Sequence, residues 1–200
     1  MHQLGEIFGF AAGLIGIATG LPQAIRIRRQ GHHDGLVLSP WILMLATFSA
    51  YSAYGLAQNS PSIWICNVLT FFTTALVVTA VKGNGFKVWA AILVGGLLNA
   101  WLILVLPAIL SNIILVALTA NRLPQLVRTW MNRRKVMVSA VSISSLLVAF
   151  SSFVCWDLYA VFTGNSFIFM TTTIAMSITV ATALLEAHIA RLAKQAHLSK

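Results

Sequence analysis

Few side chains in this chain have the means to do chemistry, and most of those lie in long apolar stretches. Asp157 is the only acid deep within such a stretch. Tyr51, Asn67, Trp156 and Thr172 are the other groups whose type and position stand out. An amide or hydroxyl there can bond the hydroxyls of a solute, and an aromatic face can stack on an apolar C–H face. A semi-apolar pocket with a few placed polar groups is the usual design for a small ligand. Catalysis is not expected: the apolar stretches hold no His cluster, no paired carboxylates and no basic nucleophile motif. No nucleotide-binding loop is present. Cys66 and Cys155 both fall in apolar stretches, so they give neither a disulfide framework nor a metal-ligand spacing. His32-His33-Asp34 reads as a solvated loop rather than a metal site. No cofactor or metal is expected.

The stretches that hold these residues define the class of the protein. Of its 200 residues, 58% are hydrophobic and only 8% are charged, against roughly 25% charged in a soluble domain. No Asp, Glu, Lys or Arg occurs between Leu36 and Val81, between Val88 and Asn121, or between Leu158 and Leu185. One spanning helix needs about 20 apolar residues, so the first of these gaps has room for two. A soluble core of this size would have no water-facing residues to offer. The net charge of +9 raises the question of nucleic-acid binding. The basic residues come in short clusters at loop-like intervals, without interleaved aromatic stacking platforms, and nucleic acid is not an expected partner. The N-terminal segment carries Glu6 and no basic n-region, so it reads as a retained helix rather than a signal peptide.

The expected architecture is all-α: an integral membrane protein with spans at about 5–27, 37–58, 61–81, 86–105, 107–130, 138–162 and 166–190. Pro61 and Pro107 stand at helix starts, where a missing N–H costs nothing. Gly83 and Gly85 punctuate the third connection. Basic residues alternate with the connections. Arg26, Arg28 and Arg29 follow the first span, Lys82 and Lys87 flank the third connection, and Arg128, Arg133, Arg134 and Lys135 flank the fifth. Arg191, Lys194 and Lys200 close the chain, and the second, fourth and sixth connections carry no charge. Short Lys/Arg-rich loops stay in the cytoplasm. The N-terminus is therefore expected outside and the C-terminus inside, which an odd number of spans also requires. The expected location is the cell membrane, plasma or bacterial inner.

The chain also repeats itself. Gly20-Leu21-Pro22-Gln23 ends the first span and Arg122-Leu123-Pro124-Gln125 ends the fifth, each followed by basic residues. Leu38-Ser39-Pro40 then matches Val141-Ser142-Ile143, and Tyr54-Gly55 matches Tyr159-Ala160. The expected division is a three-helix repeat over 1–82, a linker helix over 83–106, a second three-helix repeat over 107–190 and a cytoplasmic tail over 191–200. Four helices separate equivalent positions, so both repeats point the same way across the membrane. Repeats of that kind are related by an axis along the membrane normal, with substrate between them near the midplane.

Two Leu-Pro-Gln motifs in a three-plus-one-plus-three arrangement resemble the PQ-loop superfamily. Within it the chain is most similar to the SWEET sugar transporters, whose bacterial relatives, the semiSWEETs, are single repeats that dimerise. The resemblance implies a substrate pocket built from an aromatic on the second helix of each repeat and a polar residue on the third. The turns point to the same places. Tyr51 is eight residues before the turn near Asn59 and Asn67 eight after it, while Trp156 and Thr172 stand in the same relation to Gly164. At ~1.5 Å per residue all four lie about 12 Å from the outer turns. Each has a plainer reading. Asn67 can bond a neighbouring helix, Tyr51 and Trp156 can be belt aromatics, and Thr172 can bond back to its own helix. Where the family has an Asn in the last helix this chain has Thr172, which makes the pocket asymmetric.

The resemblance further implies hinges on the cytoplasmic side at Pro22-Gln23 and Pro124-Gln125, with Pro40 a third member. The counterpart of Pro40 is Ile143, so a four-proline ring is incomplete. Asp157 has two readings: proton coupling, as in amino-acid-exporting relatives, or a neutral carboxyl bonded to a neighbouring helix or to outer-vestibule water. Arg122 is expected to snorkel to the inner surface. Gly9 with Gly13, and Gly16 with Gly20, are small residues four apart that fit close helix packing. The implied function is facilitated movement of a mono- or disaccharide by alternating access. A proton-coupled amino-acid carrier and a non-transporting receptor or scaffold are the alternatives. The expected partners are the solute and the bilayer, and assembly into a homo-oligomer is left open.

Overall fold

The computed structural model describes residues 1–30, 38–132 and 143–198, and at several of these, Pro22, Gln23 and Gln125 among them, the backbone alone. His32-His33-Asp34, Arg133, Arg134 and Lys135, the start of the expected sixth span, and Lys200 lie outside the described residues. Those described form helices α1 (His2–Gln30), α2 (Ser39–Ala57), α3 (Pro61–Lys82), α4 (Phe86–Val105), α5 (Ala108–Thr119), a 3-10 turn (Ala120–Arg122), α6 (Leu123–Asn132), α7 (Ile143–Thr163) and α8 (Ser166–Leu198). No strand occurs among the described residues. Among the described residues, four helical segments are long and apolar enough to cross a membrane: Pro61–Lys82, Phe86–Val105, Leu146–Thr163 and Ser166–Leu192. The protein is an all-helical, multi-pass membrane protein.

Turn chemistry fixes where the helices stop. Asn59 (φ 51°) and Gly164 (φ 71°) take left-handed backbone at the tips of the α2–α3 and α7–α8 hairpins. Asparagine and glycine are the residues that tolerate it. Ser60 then caps α3 by accepting from the Ile63 N–H, and Asn165 accepts from the Ile168 N–H at the start of α8 (3.0 Å). Such caps satisfy donors that a helix start otherwise leaves unpaired.

The two Leu-Pro-Gln motifs behave differently. Helix α1 runs unbroken through Pro22 to Gln30. At the second motif the expected fifth span divides. The Ala120 carbonyl, which would have accepted from the N–H that Pro124 lacks, accepts instead from the Leu123 N–H. An i→i+3 bond of this kind is a 3-10 turn. Pro40 lies in the first turn of α2, where it breaks no helical bond.

Packing joins the elements through small residues and single polar bonds. Helix α1 lies against both α3 and α7, α2 against α3 and α4, and α7 against α8. A Cβ on Gly9 would stand 2.2 Å from Ser62 Oγ, and one on Gly13 would stand 2.1 Å from Cys66 Sγ. Glycine is what lets α1 approach α3 so closely. Gly16, by contrast, has no atom within 4 Å of its would-be Cβ, so the expectation of close packing holds for the first glycine pair and fails at Gly16. Ser152 Oγ donates to the Ala12 carbonyl (2.9 Å), tying α7 to α1. Helix α4 is apolar on nearly every face, with Leu97, Leu98 and Trp101 at least 60% exposed, as a lipid-facing helix should be. Both amide hydrogens of Asn99 pin it to α2, at the Ala46 carbonyl and at Ser49 Oγ (2.8 Å each).

Overpacking an interface costs about 1–3 kcal/mol. Gly13→Val should therefore lower the melting temperature in detergent by several degrees, while Gly16→Val should leave it nearly unchanged. Equal effects of the two would remove the close α1–α3 approach.

Candidate functional site

A cavity of about 140 Å³ lies between the hairpins, lined from α2 (Met44, Thr47, Phe48, Tyr51), α3 (Ile63, Asn67) and the end of the fifth span (Thr119, Asn121). Its far wall comes from α7 (Phe153, Trp156) and α8 (Ile168, Thr171, Thr172, Ala175). Tyr51, Asn67, Trp156 and Thr172 all line this one space. Tyr51 and Trp156 stand 105 residues apart, as do Asn67 and Thr172.

Each of these side chains is held before any solute arrives. Tyr51 OH lies 2.7 Å from Thr119 Oγ1. Because Thr119 donates its own proton to the Leu115 carbonyl (2.9 Å), Tyr51 is the donor of that pair. Asn67 Nδ2 donates to the Ile63 carbonyl (2.7 Å) one turn back, on its own helix. Its second N–H and its oxygen remain for other partners. Trp156 packs edge-on to Tyr159 (5.6 Å, 77°), as Tyr51 does to Tyr54 (6.3 Å, 69°). Thr172 bonds back to the Ile168 carbonyl (2.8 Å) and also lines the cavity, so its two sequence readings coexist. Asp157 does not line the cavity; its Oδ1 accepts from Thr172 Oγ1, and its Oδ2 is 3.5 Å from Thr173 Oγ1. The acid thus stands one hydroxyl behind the wall, bonded to the neighbouring helix.

Toward the hairpin turns, two hydrogen bonds cross between the α2–α3 and α7–α8 hairpins. Tyr54 OH on α2 donates to Asn165 Oδ1, the cap of α8 (3.2 Å). Tyr159 OH on α7 donates to Ser60 Oγ, the cap of α3 (2.9 Å). Tyr54 and Tyr159 are 105 residues apart, and so are Ser60 and Asn165. Ser60 passes its own proton to Glu6 Oε1 (2.9 Å), and Glu6 Oε2 accepts from the Ser62 N–H (2.7 Å). A carboxylate at a helix N-terminus also meets the positive end of the helix dipole. Ile63, Ile168, Tyr54 and Tyr159 pack together there in one buried cluster, and Phe167 lies against Tyr54 at 5.2 Å.

At the other end, Asn121 Nδ2 donates to Thr47 Oγ1 (3.2 Å), joining the chain two residues before the second Leu-Pro-Gln to α2. Pro124 lies exposed just beyond it. Helix α6 is held to α8 by Thr129 Oγ1, which donates to Glu186 Oε1 (2.8 Å); Glu186 is only 4% exposed. Pro40 and Pro124 do not line the cavity. Sequence reasoning missed Thr119 and Asn121, although Asn121 abuts the motif. It also missed the Glu6–Ser60–Tyr159 chain, for which only the Tyr54/Tyr159 match was a signal.

No protein-family model matches this chain, and no protein of curated function matches it by sequence. Among solved structures, a eukaryotic SWEET transporter superposes with a TM-score of 0.68 over 94% of this chain and 99% of its own, at 16% identity. The fold is that of a SWEET transporter. The solved structure that shares this fold is that of a transporter.

Ser60 is fully engaged as cap, donor and acceptor, so Ser60→Ala should cost more than a surface change. Loss of the cap is worth about 1 kcal/mol, and the orphaned buried Tyr159 hydroxyl about 1–3 kcal/mol. A clearly lowered thermal midpoint in detergent is expected, partly restored by adding Tyr159→Phe. A midpoint equal to that of the parent would remove the crossed bond at Ser60.

Proposed function

We propose that this chain is a membrane transporter of a small polar solute, a sugar facilitator working by alternating access. The observation that carries the reading is the cavity itself. It lies between the two halves of the chain, is lined by equivalent positions from each, and is closed at one end by bonds that separation of the halves would break. On this reading the chain has seven spans, with α5, the 3-10 turn and α6 forming the fifth. They divide into repeats at 1–82 and 107–190 joined by the linker helix. The N-terminus and the hairpin turns face outward, and the Leu-Pro-Gln motifs face the cytoplasm. The crossed Tyr54–Asn165 and Tyr159–Ser60 bonds then close the outer side. Pro22-Gln23, Pro40 and Pro124-Gln125 lie at the inner side, where the 3-10 turn before Pro124 gives the second repeat a ready point of bending. The likeness to a SWEET transporter supports the transport class.

Tyr51 and Trp156 would stack on the C–H faces of a sugar ring, and Asn67 and Thr172 would bond its hydroxyls. The cavity volume suits a monosaccharide better than a disaccharide in this conformation. The proton-coupled carrier remains the second reading because Asp157 stands directly against Thr172 of the cavity wall.

Asn67→Ala tests the proposal. A buried substrate hydroxyl that loses its partner costs about 1–3 kcal/mol, roughly five- to 150-fold in affinity. Losing one bond within a membrane bundle costs about 0.6 kcal/mol. Initial uptake of the transported sugar into proteoliposomes should fall far more than thermal stability does. Thr172→Ala should hurt less, since water can partly replace a hydroxyl. Normal uptake by Asn67→Ala, or failure only through unfolding, would misplace the site.

A further inference from the structure

The hydrogen-bonding groups of the cavity are one-sided. Thr47 donates its proton to the Leu43 carbonyl (2.8 Å), Thr119 to Leu115 (2.9 Å) and Thr171 to Ile168 (3.1 Å). Tyr51 donates to Thr119. Thr172 has one proton and two acceptors beside it, the Ile168 carbonyl and Asp157. Every lining hydroxyl therefore directs its proton into the protein, so toward a solute it can act only as an acceptor. Each lining amide has also committed one N–H, Asn67 to Ile63 and Asn121 to Thr47. The donors left for a solute are at most the second N–H of each amide and the indole N–H of Trp156. The acceptors left are the oxygens of Tyr51, Thr171 and Thr172, two amide oxygens, and one remaining lone pair each on Thr47 and Thr119, which already accept from Asn121 and Tyr51.

The charge around the cavity points the same way. Among the described side chains no Lys, Arg or His lines it, while Asp157 stands one hydroxyl away. Four aromatic side chains, Phe48, Tyr51, Phe153 and Trp156, form its walls, and aromatic faces attract cations. A negatively charged solute would enter a low-dielectric space that offers it few donors and no counter-charge, at a cost that pairing normally has to offset. An ammonium group has three donors and no acceptor, which complements the wall.

We infer that the cavity takes a donor-rich solute without negative charge and prefers an amine-bearing polyol of monosaccharide size to its neutral counterpart. This rests on reading the cavity as the transport site. The acceptor surplus sets the requirement for donors, and Asp157, acting through Thr172, sets the preference for the ammonium.

The test uses hexoses of one size and three charges: glucosamine, glucose and glucuronate, at a pH where the amine is protonated and the carboxylate ionised. Binding is read from thermal stabilisation of the detergent-purified full chain, and transport from uptake into proteoliposomes. Hydrogen bonds to charged groups are worth about 1.5–3 kcal/mol, so glucosamine should half-saturate at a concentration roughly tenfold or more below that of glucose. Glucuronate should be the weakest of the three. Asp157→Asn should bring the glucosamine-to-glucose ratio close to one; if that variant does not fold, the ranking on the parent chain alone decides. The expected ranking in binding without uptake of any sugar would support the selectivity and overturn the transport reading. Uptake in which glucuronate equals or exceeds glucosamine would overturn the selectivity and leave transport standing. Absence of binding by all three would overturn the inference.

Discussion

A bilayer offers nothing for a polar group to bond, so every such group in a spanning helix must be satisfied from within the protein. Much of this structure follows from that constraint. Ser52, Thr70, Thr179 and Thr182 each bond the carbonyl one turn back on their own helix. Among the described residues no buried side-chain nitrogen or oxygen lacks a partner. Other polar groups reach across to another helix and hold a particular pair together, among them Asn99 to α2, Ser152 to α1, Ser60 to Glu6, Thr129 to Glu186, Thr172 to Asp157, and the two tyrosines to the opposite helix caps. The same constraint shapes the cavity. Its hydroxyls needed internal acceptors whether or not a solute was bound, and having found them they present oxygen lone pairs.

The two halves share a plan but not its details, and the differences fall where motion would be needed. The cap of α3 is backed by Glu6, whereas the cap of α8 stands on Asn165 alone. The fifth span bends at its Leu-Pro-Gln motif while α1 passes straight through its own. Asn67 faces Thr172 with an acid behind it. A cavity with equivalent positions but unequal chemistry can grip an unsymmetrical solute in one orientation.

The spans and hairpins were legible in the sequence because charge is excluded from hydrocarbon and because Asn, Gly and Pro mark turns. Tyr51, Asn67, Trp156 and Thr172 could be found by counting back from those turns, since helical rise converts residue number into depth. What could not be read was rotation about the helix axis. A span that is apolar all round has no polar stripe to show which face meets which neighbour. So Thr119 and Asn121 were not assigned to the cavity, Glu6 was not paired with Ser60, Gly16 was grouped with Gly9 and Gly13, and Pro22 and Pro124 were given the same role. The difference between those prolines came from a single backbone bond, Leu123 N–H to the Ala120 carbonyl, which the shared motif does not reveal.

On the transport reading proposed above, the crossed bonds at the hairpin end close one side of a cavity that opens alternately. The distance between spin labels placed at Asn59 and Gly164, measured by pulsed electron resonance in lipid nanodiscs, tests it most directly. The parent chain should show a dominant short distance. Replacing both Tyr54 and Tyr159 by Phe removes the two donors and should populate a second, longer distance. A single unchanged distance in parent and double variant, with both proteins folded, would contradict the account.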